Sequence, residues 1–374
     1  MTRIKRWGVA ALGLALMTPA CGSSDADDAG EEATPIQRMP TVQNEFTPVE
    51  LEETIDRLVA EINENSTESM QMTVMLKTLS AFFAPIATGA NRAMGEIGVT
   101  GNVVGPTKEP GDQQRDMKLQ SEQIAQAVAD GAEGIGISPF GDANAAAVDD
   151  AVASGVHVVT LDTDLASSKR SIYVGTINES AGETAGKTLL ALLPPEPGTV
   201  ILHGNEDPTW DDGLDRTQGA RGVLEAAGHK VVVRQVDWSD EGADVEWMKD
   251  QIETADPPVV GLLGLFNLSF RCAMAAEAAG KQDLPVVAFD FDARTVDYMR
   301  EGRIKATHIQ RQYYEGYLVP YILYGIKSIG LDATRRILAP QMVGDSLFNL
   351  GLDVVPGDKV DAYNEFLDSI GANE

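Results

Sequence analysis

From residue 71 onward the sequence alternates short apolar segments of strand character with longer segments of helical periodicity. Segments 73–77, 134–138 and 156–161 read as strands, and each is followed by apolar residues at helical spacing. Strands separated by single helices form right-handed βαβ units, in which the sheets are parallel and covered on both faces. About five such units precede residue 175 and about four follow it, which predicts an α/β protein of two doubly wound parallel-sheet lobes.

Length and charge narrow the function classes. The chain has 374 residues, enough for two packed domains. It carries 29 Lys and Arg against 57 Asp and Glu, a formal net charge of −28. This charge repels phosphate backbones and anionic lipid surfaces, so we expect no nucleic-acid partner and no polybasic membrane contact. Two cysteines and four histidines offer no zinc cluster, haem attachment or disulfide framework, so neither a metal nor a cofactor is expected.

The N-terminus has the features of an export signal. Basic residues precede a short apolar run at 9–17, which is shorter than the ~20 residues that a membrane span requires. Small residues then lead to Cys21, as in a bacterial lipoprotein signal, although Thr18 departs from that pattern. We predict a signal peptide at 1–20 and a lipid anchor on Cys21, at the periplasmic or extracellular face of the cell envelope. The alternative is a plain secretory signal cut after Ala20.

Two segments separate this signal from the alternating region. Residues 21–48 are acidic and rich in small residues, which predicts a flexible tether. Within 49–70, apolar residues at helical spacing predict a helix that is either a stalk or a part of the globular region.

Several motif-like features carry no chemistry. Residues 182–188 resemble a phosphate-binding loop, but only three residues separate the two glycines and the segment lies in a predicted helix. The histidines at 157, 203, 229 and 308 are scattered singly, and Cys272 is predicted to be a buried thiol. With no nucleophile–base pair or metal cluster visible, no catalytic residue is assigned, and the chain is not expected to be an enzyme.

Polar and aromatic residues recur where predicted strands end. Ligands of open α/β sheets bind outside the carboxyl ends of the strands. Aromatic rings offer an apolar surface to the C–H face of a sugar, and polar side chains bond its hydroxyls. The candidate ligand-binding residues at these positions are Phe82, Phe83, Ser138, Asp162, Arg216, Trp238, Asn267, Asp290 and Gln310.

Taken singly, some of these residues have a simpler interpretation. Asp162, Asn267 and Asp290 suit helix caps, which form by default where a strand turns into a helix. Phe82 and Phe83 equally suit the core. The recurrence at eight strand ends, drawn from both halves of the chain, favours the wall of a cleft.

Four ordered motifs carry a family resemblance: TLSAFF at 78–83, GVHVVTLD at 155–162, YVGTIN at 173–178 and VVAFD at 286–290. With them, the chain resembles the periplasmic ribose- and galactose-type sugar-binding proteins over about residues 71–355. These proteins are the substrate-binding components of ABC transporters.

The resemblance implies the type I periplasmic-binding-protein fold, with two lobes joined by a three-segment hinge. The implied N-terminal lobe comprises 71–176 plus 311–340, and the C-terminal lobe 177–310 plus 341–356. A tail at 357–374 would follow. The hinge segments are expected near 175–178, 309–312 and 339–343.

The resemblance also implies residue roles. Phe82 and Phe83 would sandwich a sugar ring, with Trp238 facing them from the other lobe. Asp162 and Asp290 would accept hydrogen bonds from sugar hydroxyls, and Arg216 and Asn267 would reach these hydroxyls from the second lobe. Gln310 would lie by the hinge, and Lys77 would be a further ligand contact. Ser138-Pro139 and Asp162-Thr163 depart from the Asn-Pro and Asp-Arg of ribose binders, which makes ribose a poor candidate. Asp164 or Arg170 would then replace the missing arginine.

The expected function is capture of a small sugar or polyol by hinge closure and its delivery to an ABC permease and its ATPase, by a monomer. One alternative is a receptor that reports its ligand to a chemoreceptor or sensor kinase. Another is a secreted lipoprotein enzyme with Asp162 or Asp290 as base. A sugar-responsive repressor is disfavoured, because an export signal is present and no basic helix-turn-helix precedes residue 71.

Overall fold

The computed structural model of the chain describes residues 35–39, 41–65, 69–106 and 112–373. They form two β-sheets of seven and six strands, each covered by helices, which confirms the predicted pair of α/β lobes. The predicted signal peptide and Cys21 lie outside the described residues. Within the described ranges, no helix is long and apolar enough to cross a membrane.

The bounds of the elements follow the predicted alternation. The strands are β1 (Gln71–Met75), β2 (Thr100–Val104), β3 (Gly134–Ile137), β4 (His157–Leu161), β5 (Ile172–Gly175), β6 (Thr199–Gly204), β7 (Lys230–Gln235), β8 (Val259–Gly264), β9 (Val286–Phe289), β10 (Ile304–Ile309), β11 (Met342–Val343), β12 (Leu347–Asn349) and β13 (Asp353–Pro356). The helices are α1 (Val49–Asn63), α2 (Ala84–Ile97), α3 (Gln113–Ala129), α4 (Ala145–Ala153), α5 (Asn178–Leu190), α6 (Asp211–Ala226), α7 (Glu241–Thr254), α8 (Phe270–Ala278), α9 (Ala293–Arg300), α10 (Gln312–Ile329), α11 (Leu331–Leu338) and α12 (Val360–Ser369).

The two sheets share one strand order. The first runs β11–β12–β5–β4–β3–β1–β2, and the second runs β13–β10–β9–β8–β6–β7. In both, the five strands that alternate with helices pair in parallel, and the antiparallel pairs are β11–β12 and β10–β13. Strands β3 and β9 are buried throughout, as expected where helices cover both faces of a parallel sheet. Strand β4 of the first lobe therefore corresponds to β9 of the second.

The chain crosses between the lobes three times, and the third crossing differs from the predicted position. The first two follow β5 and β10, near residues 175–178 and 309–312 as expected. The third lies at 350–352 rather than 339–343, because β11 and β12 extend the first sheet and Leu347 pairs in parallel with Tyr173. Residues 342–349 therefore belong to the N-terminal lobe, although the sequence assigned them to the C-terminal lobe.

Arg311 joins the second and third crossings. It begins α10 with a left-handed backbone, φ 61°. Its Nε donates to Asp353 Oδ1 at 2.7 Å, and its Nη1 donates to the Leu350 carbonyl at 2.6 Å. The two crossings are thus held together by an ion pair and a hydrogen bond.

The segment before β1 packs on the lobes, so the predicted tether ends earlier than residue 48. Ile36 is 5% exposed, and its backbone N–H donates to Asn63 of α1. The Phe46 ring lies 5.0 Å from that of Tyr363 in α12. The apolar stripe of α1 packs against α10, so α1 belongs to the globular region and not to a separate stalk.

The predicted C-terminal tail is likewise structured. It contains α12, whose Tyr363 is 1% exposed and donates to Asp353 Oδ2 at 3.0 Å. The buried face of α12 explains why this segment does not project from the lobe.

Helices α5 and α6 pack closely against each other. A Cβ atom added to Gly182 of α5 would lie 1.9 Å from the Arg216 carbonyl oxygen of α6. A Cβ atom on Gly219 of α6 would lie 2.1 Å from the Glu179 carbonyl oxygen. The glycines that resembled a phosphate loop therefore serve helix packing, and they bring the start of α5 close to Arg216.

Candidate functional site

Asp162 organises the wall contributed by the first lobe. It follows β4 with a left-handed backbone, φ 61°, which is uncommon outside glycine and tolerated by Asp. Its Oδ2 accepts hydrogen bonds from Lys77 Nζ at 3.0 Å and Ser138 Oγ at 2.7 Å. Lys77 lies beyond β1 and Ser138 beyond β3, so the structure brings three predicted residues together at adjacent strand ends.

Contacts with Tyr173 and Lys77 hold the loop after β4 in place. The Tyr173 hydroxyl donates to the Asp162 carbonyl oxygen at 3.0 Å, and burial raises the pKa of this phenol. Lys77 Nζ also lies 2.6 Å from the Thr163 hydroxyl. The carboxylate is therefore oriented by neighbours on several strands, with its Oδ2 in contact with a cation.

Phe82 and Phe83 lie in a short 3-10 turn, Ala81–Phe83, directly after the loop that follows β1. Their rings are 5.2 Å apart and nearly perpendicular, and both side chains are half-buried. Lys77 Nζ lies 5.9 Å from the centroid of the Phe83 ring. The aromatic pair thus adjoins the Asp162 group.

The second lobe contributes a chain of three predicted residues. Arg216 Nη2 donates to Gln310 Oε1 at 2.9 Å, and Gln310 Nε2 donates to Asp290 Oδ1 at 3.0 Å. Burial raises the pKa of Asp290 to about 6, although the Arg216 charge opposes that shift. The Arg216 guanidinium also stacks over Phe289, 4.2 Å from the ring centroid. These residues form one connected polar group at the ends of β9 and β10.

Most of the Arg216 donors are used inside the protein. Nε and Nη2 donate to Asn178 Oδ1 at 3.1 and 2.6 Å, and Nη1 donates to the Leu265 carbonyl at 2.9 Å. With the bond to Gln310, four of the five guanidinium N–H groups are used. Arg216 therefore positions Asn178 and Gln310, and one N–H group remains for a ligand within the described residues.

Asp212 was missed by the sequence analysis. It lies in the first turn of α6, where Asn178 Nδ2 donates to its Oδ1 at 3.0 Å, and it also bonds the Thr163 side chain of the first lobe. Burial raises its pKa to about 6, and the Lys77 charge opposes this shift. An acidic residue at the start of a helix interacts favourably with the helix dipole, so no sequence pattern indicates that Asp212 contacts the first lobe.

Glu315 was missed as well. It lies in the first turn of α10, has no exposed surface, and burial raises its pKa well above the ordinary value. Electrostatic interactions connect it with Asp162 and Asp290, which repel it, and with Arg216, which attracts it. Its carboxyl group therefore lies near charged groups of both walls. A single acidic residue inside an apolar helix gives no pattern that would reveal this.

The remaining predicted residues lie around this centre. Asn267 bonds Asp290 through its backbone N–H, and both line a cavity of about 460 Å³ together with Phe82 of the other lobe. This cavity extends towards α9 and α12, and Asp162, Arg216 and Gln310 are not among its lining residues. Trp238 is 55% exposed and packs against Trp210 and Phe266 with ring centroids 6.0 and 5.8 Å away. Trp238 therefore belongs to a cluster of aromatic rings in the second lobe and does not line the cavity.

Asp164 and Arg170 do not replace the missing arginine. The Arg170 guanidinium pairs with both oxygens of Asp164 at 2.6 Å, and its side chain is 6% exposed. Because each satisfies the other, this pair stabilises the loop after β4. The expectation that either residue reaches a ligand is not supported by this geometry.

The histidines and Cys272 have structural surroundings. His203 bonds Asp244 at 2.7 Å, and both are fully buried. Thr188 lies 2.9 Å from His308 Nε2, and burial lowers the pKa of His308 to about 4. Burial in α8 raises the pKa of the Cys272 thiol well above its usual range.

Comparison with known proteins gives the same architecture. An ABC transporter solute-binding protein from Burkholderia graminis, solved with D-arabinose, is 24% identical, with coverage of 80% of this chain and 99% of that one and a TM-score of 0.63. The arabinose-binding protein AraP from Geobacillus stearothermophilus is 23% identical, with coverage of 79% and 99% and a TM-score of 0.64. XylFII in complex with LytSN is 20% identical, with coverage of 78% and 99% and a TM-score of 0.60.

These likenesses establish the fold. Residues 72–328, more than half of the chain, match the periplasmic binding protein domain family. This range includes strands of both lobes and every cleft residue named above. The chain is therefore a member of the periplasmic binding protein family, as its sequence motifs predicted.

Proposed function

We propose that this protein is the extracytoplasmic substrate-binding component of an ABC transporter, and that it captures a small sugar or related polyol between its lobes. The observation that carries the proposal is a polar group at the strand ends of each lobe, with the two groups close enough for Asp162 to repel Asp290. Asp162 with Lys77 and Ser138 stands on one wall, and Asp290 with Gln310 and Arg216 on the other. Two similar structures are described as binding arabinose, which supports a sugar as the ligand.

Binding follows from the chemistry of these walls. The carboxylate oxygens of Asp162 and Asp290 accept hydrogen bonds from ligand hydroxyls, and bonds to charged groups contribute about 1.5–3 kcal/mol each. The Phe82 and Phe83 rings supply an apolar surface for the C–H face of the ligand. A ligand that contacts both walls favours the closed state, because an open cleft cannot provide both sets of contacts. The closed form would then be recognised by a membrane permease, above which a lipid anchor on Cys21 would hold the protein.

The test is a thermal-shift screen of the purified full-length protein against pentoses, hexoses, deoxysugars and polyols. A ligand specific for the native state adds about 2.7 kcal/mol of stability at a hundredfold excess over its Kd. We expect at least one sugar to raise the melting temperature, Asp162→Ala to abolish the shift, and the sugar to be recovered unchanged. A sugar that is chemically converted would favour an enzyme. No shift across the panel would contradict the proposal.

A second candidate output is signalling. One similar structure is a complex of XylFII with another protein, LytSN, so this fold also occurs in a protein–protein complex. The ligand and its closure would be the same, and the closed lobes would report to a chemoreceptor or sensor kinase. Deletion of the gene separates the two outputs: loss of uptake of the labelled sugar indicates transport, and loss of a transcriptional or tactic response with uptake intact indicates signalling.

A further inference from the structure

The cleft contains more acids than bases. Its acids are Asp162, Asp212, Asp290 and Glu315, and its bases are Lys77 and Arg216. Lys77 forms an ion pair with Asp162 at 3.0 Å. Arg216 reaches Asp290 through Gln310. Asp212, Asp290 and Glu315 have no direct ion pair among the described residues. Asp212 is bridged to Arg216 through Asn178, so Glu315 is the acid of this group without such a link in the described part of the chain.

Other nearby cations do not neutralise the excess of acids in the cleft. Arg311, four positions before Glu315 on the chain, pairs with Asp353 at 2.7 Å. Arg170, in the loop after β4, pairs with Asp164. Arg311 and Arg170 therefore each already have a carboxylate partner.

Glu315 connects this excess of acids with the chemistry of the ligand. Both of its carboxyl oxygens are buried, and neither has a hydrogen-bond partner within the described part of the chain. Its backbone is fixed, because the neighbouring Gly316 packs so tightly that an added Cβ would lie 1.8 Å from the Ile86 carbonyl oxygen. Its electrostatic interactions are with charged groups of both lobes, Asp162 and Lys77 of the first and Asp290 and Arg216 of the second.

A buried carboxyl group without partners is costly in either protonation state. The ionised form lacks a compensating cation, and the protonated form has a donor without an acceptor. A ligand ammonium group removes this cost, because it supplies positive charge and three donors at once. Asp212, which has one bonded neighbour in Asn178 and another in Thr163, lies in the same electrostatic environment and would share that charge.

We propose that the ligand of this cleft is a cationic amino sugar or amino polyol, whose ammonium group is bound by Glu315 and Asp212 while its hydroxyls bond Asp162 and Asp290. This inference rests on the proposed function, since it names the class of sugar that the interlobe cleft takes. A neutral sugar would leave two acids uncompensated when the lobes close. An anionic sugar would add repulsion from four carboxyl groups.

The test compares matched sugars by isothermal titration of the purified full-length protein in mildly acidic buffer, which keeps the amine protonated. The probes are D-glucosamine and D-galactosamine, each against its neutral parent hexose, and N-acetyl-D-glucosamine, which retains the nitrogen and loses the charge. We expect an amino sugar to bind at least about tenfold more tightly than its parent, a difference of about 1.4 kcal/mol, and N-acetylation to remove the gain.

Variants assign the effect to the two acids. Glu315→Gln keeps the size of the side chain and is expected to lower affinity for the amino sugar at least about tenfold while the affinity for the neutral parent is retained or improved. Asp212→Asn provides a second test if Glu315→Gln fails to fold. Asp150→Asn, on the exposed face of α4, removes one negative charge away from the cleft and is the control.

The outcomes separate this inference from the proposed function. A neutral sugar that binds as tightly as its amino counterpart, or a preference that survives both substitutions, overturns the cationic ligand and leaves sugar capture standing. Binding of none of the probes, together with silence in the wider sugar screen, overturns both.

Discussion

Asp162 and Asp290 end corresponding strands of the two lobes with the same left-handed backbone, φ 61° and 66°. The Asp162 N–H donates to the Val174 carbonyl of β5 at 3.2 Å, and the Asp290 N–H donates to the His308 carbonyl of β10 at 2.7 Å. In each sheet the next strand thus fixes the turn that presents the carboxylate. Strained backbone of this kind is concentrated at functional sites, which agrees with a carboxylate from each lobe acting on one ligand.

Asp162→Asn and Asp290→Asn are each expected to weaken binding of the ligand found in the screen. Replacing a charged acceptor with an amide removes a contact of about 1.5–3 kcal/mol, which corresponds to a roughly 10- to 150-fold higher Kd. Isothermal titration measures this change, with Asp150→Asn as the control. If both variants bind as tightly as the unmodified protein, neither carboxylate contacts the ligand.

Gly219→Ala is expected to destabilise the protein strongly, whereas Gly222→Ala, on the same helix, is not. A Cβ atom at Gly219 would lie 2.1 Å from the Glu179 carbonyl oxygen, and one at Gly222 would meet nothing within 4 Å. Forced repacking costs about 1–3 kcal/mol or more, while Gly→Ala at an open helix position adds about 0.5–1 kcal/mol of stability. Urea denaturation measures both; equal stabilities would contradict the close approach of α5 and α6.

Asp290 is expected to make the unliganded protein less stable at neutral pH. Its pKa is about 6 when folded and has an ordinary value of 3.8, so the folded state holds the proton more tightly and stability falls as pH rises from 3.8 to 6. Asp290→Asn therefore raises the free energy of unfolding above pH 6, by at most about 3 kcal/mol. This gain should vanish near pH 3.8. Denaturation curves at both ends of the range measure it, and a gain independent of pH would exclude ionisation of Asp290 as the cause.

Cys21→Ala is expected to release the protein from the membrane fraction into the soluble extracytoplasmic fraction, because the lipid would no longer be attached. Fractionation of cells followed by immunoblotting measures the change. Cys272→Ala is the matched control, since the Cys272 thiol is buried in α8 and should not affect membrane attachment. Release of both variants, or of neither, would contradict lipidation at Cys21.

The fold was predictable because its pattern is local. Apolar segments that alternate with helical periodicity indicated parallel sheets, and residues at the ends of strands, such as Asp162 and Gln310, could be grouped before their contacts were known. The hairpin of β11 and β12 was not recognised, because it is too short to show a period. As a result, the third crossing was placed about ten residues too early.

The cleft acids inside helices were not predictable in this way. Asp212 and Glu315 lie in the first turns of α6 and α10, where an acidic residue favours the helix dipole and needs no ligand to explain it. Only the approach of the two lobes and the burial of both side chains give them another role.

The bonds of Arg311 to Asp353 and Leu350 affect how the two lobes of this protein open. Since two of the three crossing segments are bonded to each other, they must turn together about one axis. We expect such an arrangement to restrict opening to a single arc and to keep the entrance on the side away from Arg311. Any cargo would then enter and leave by the same route, whatever its size.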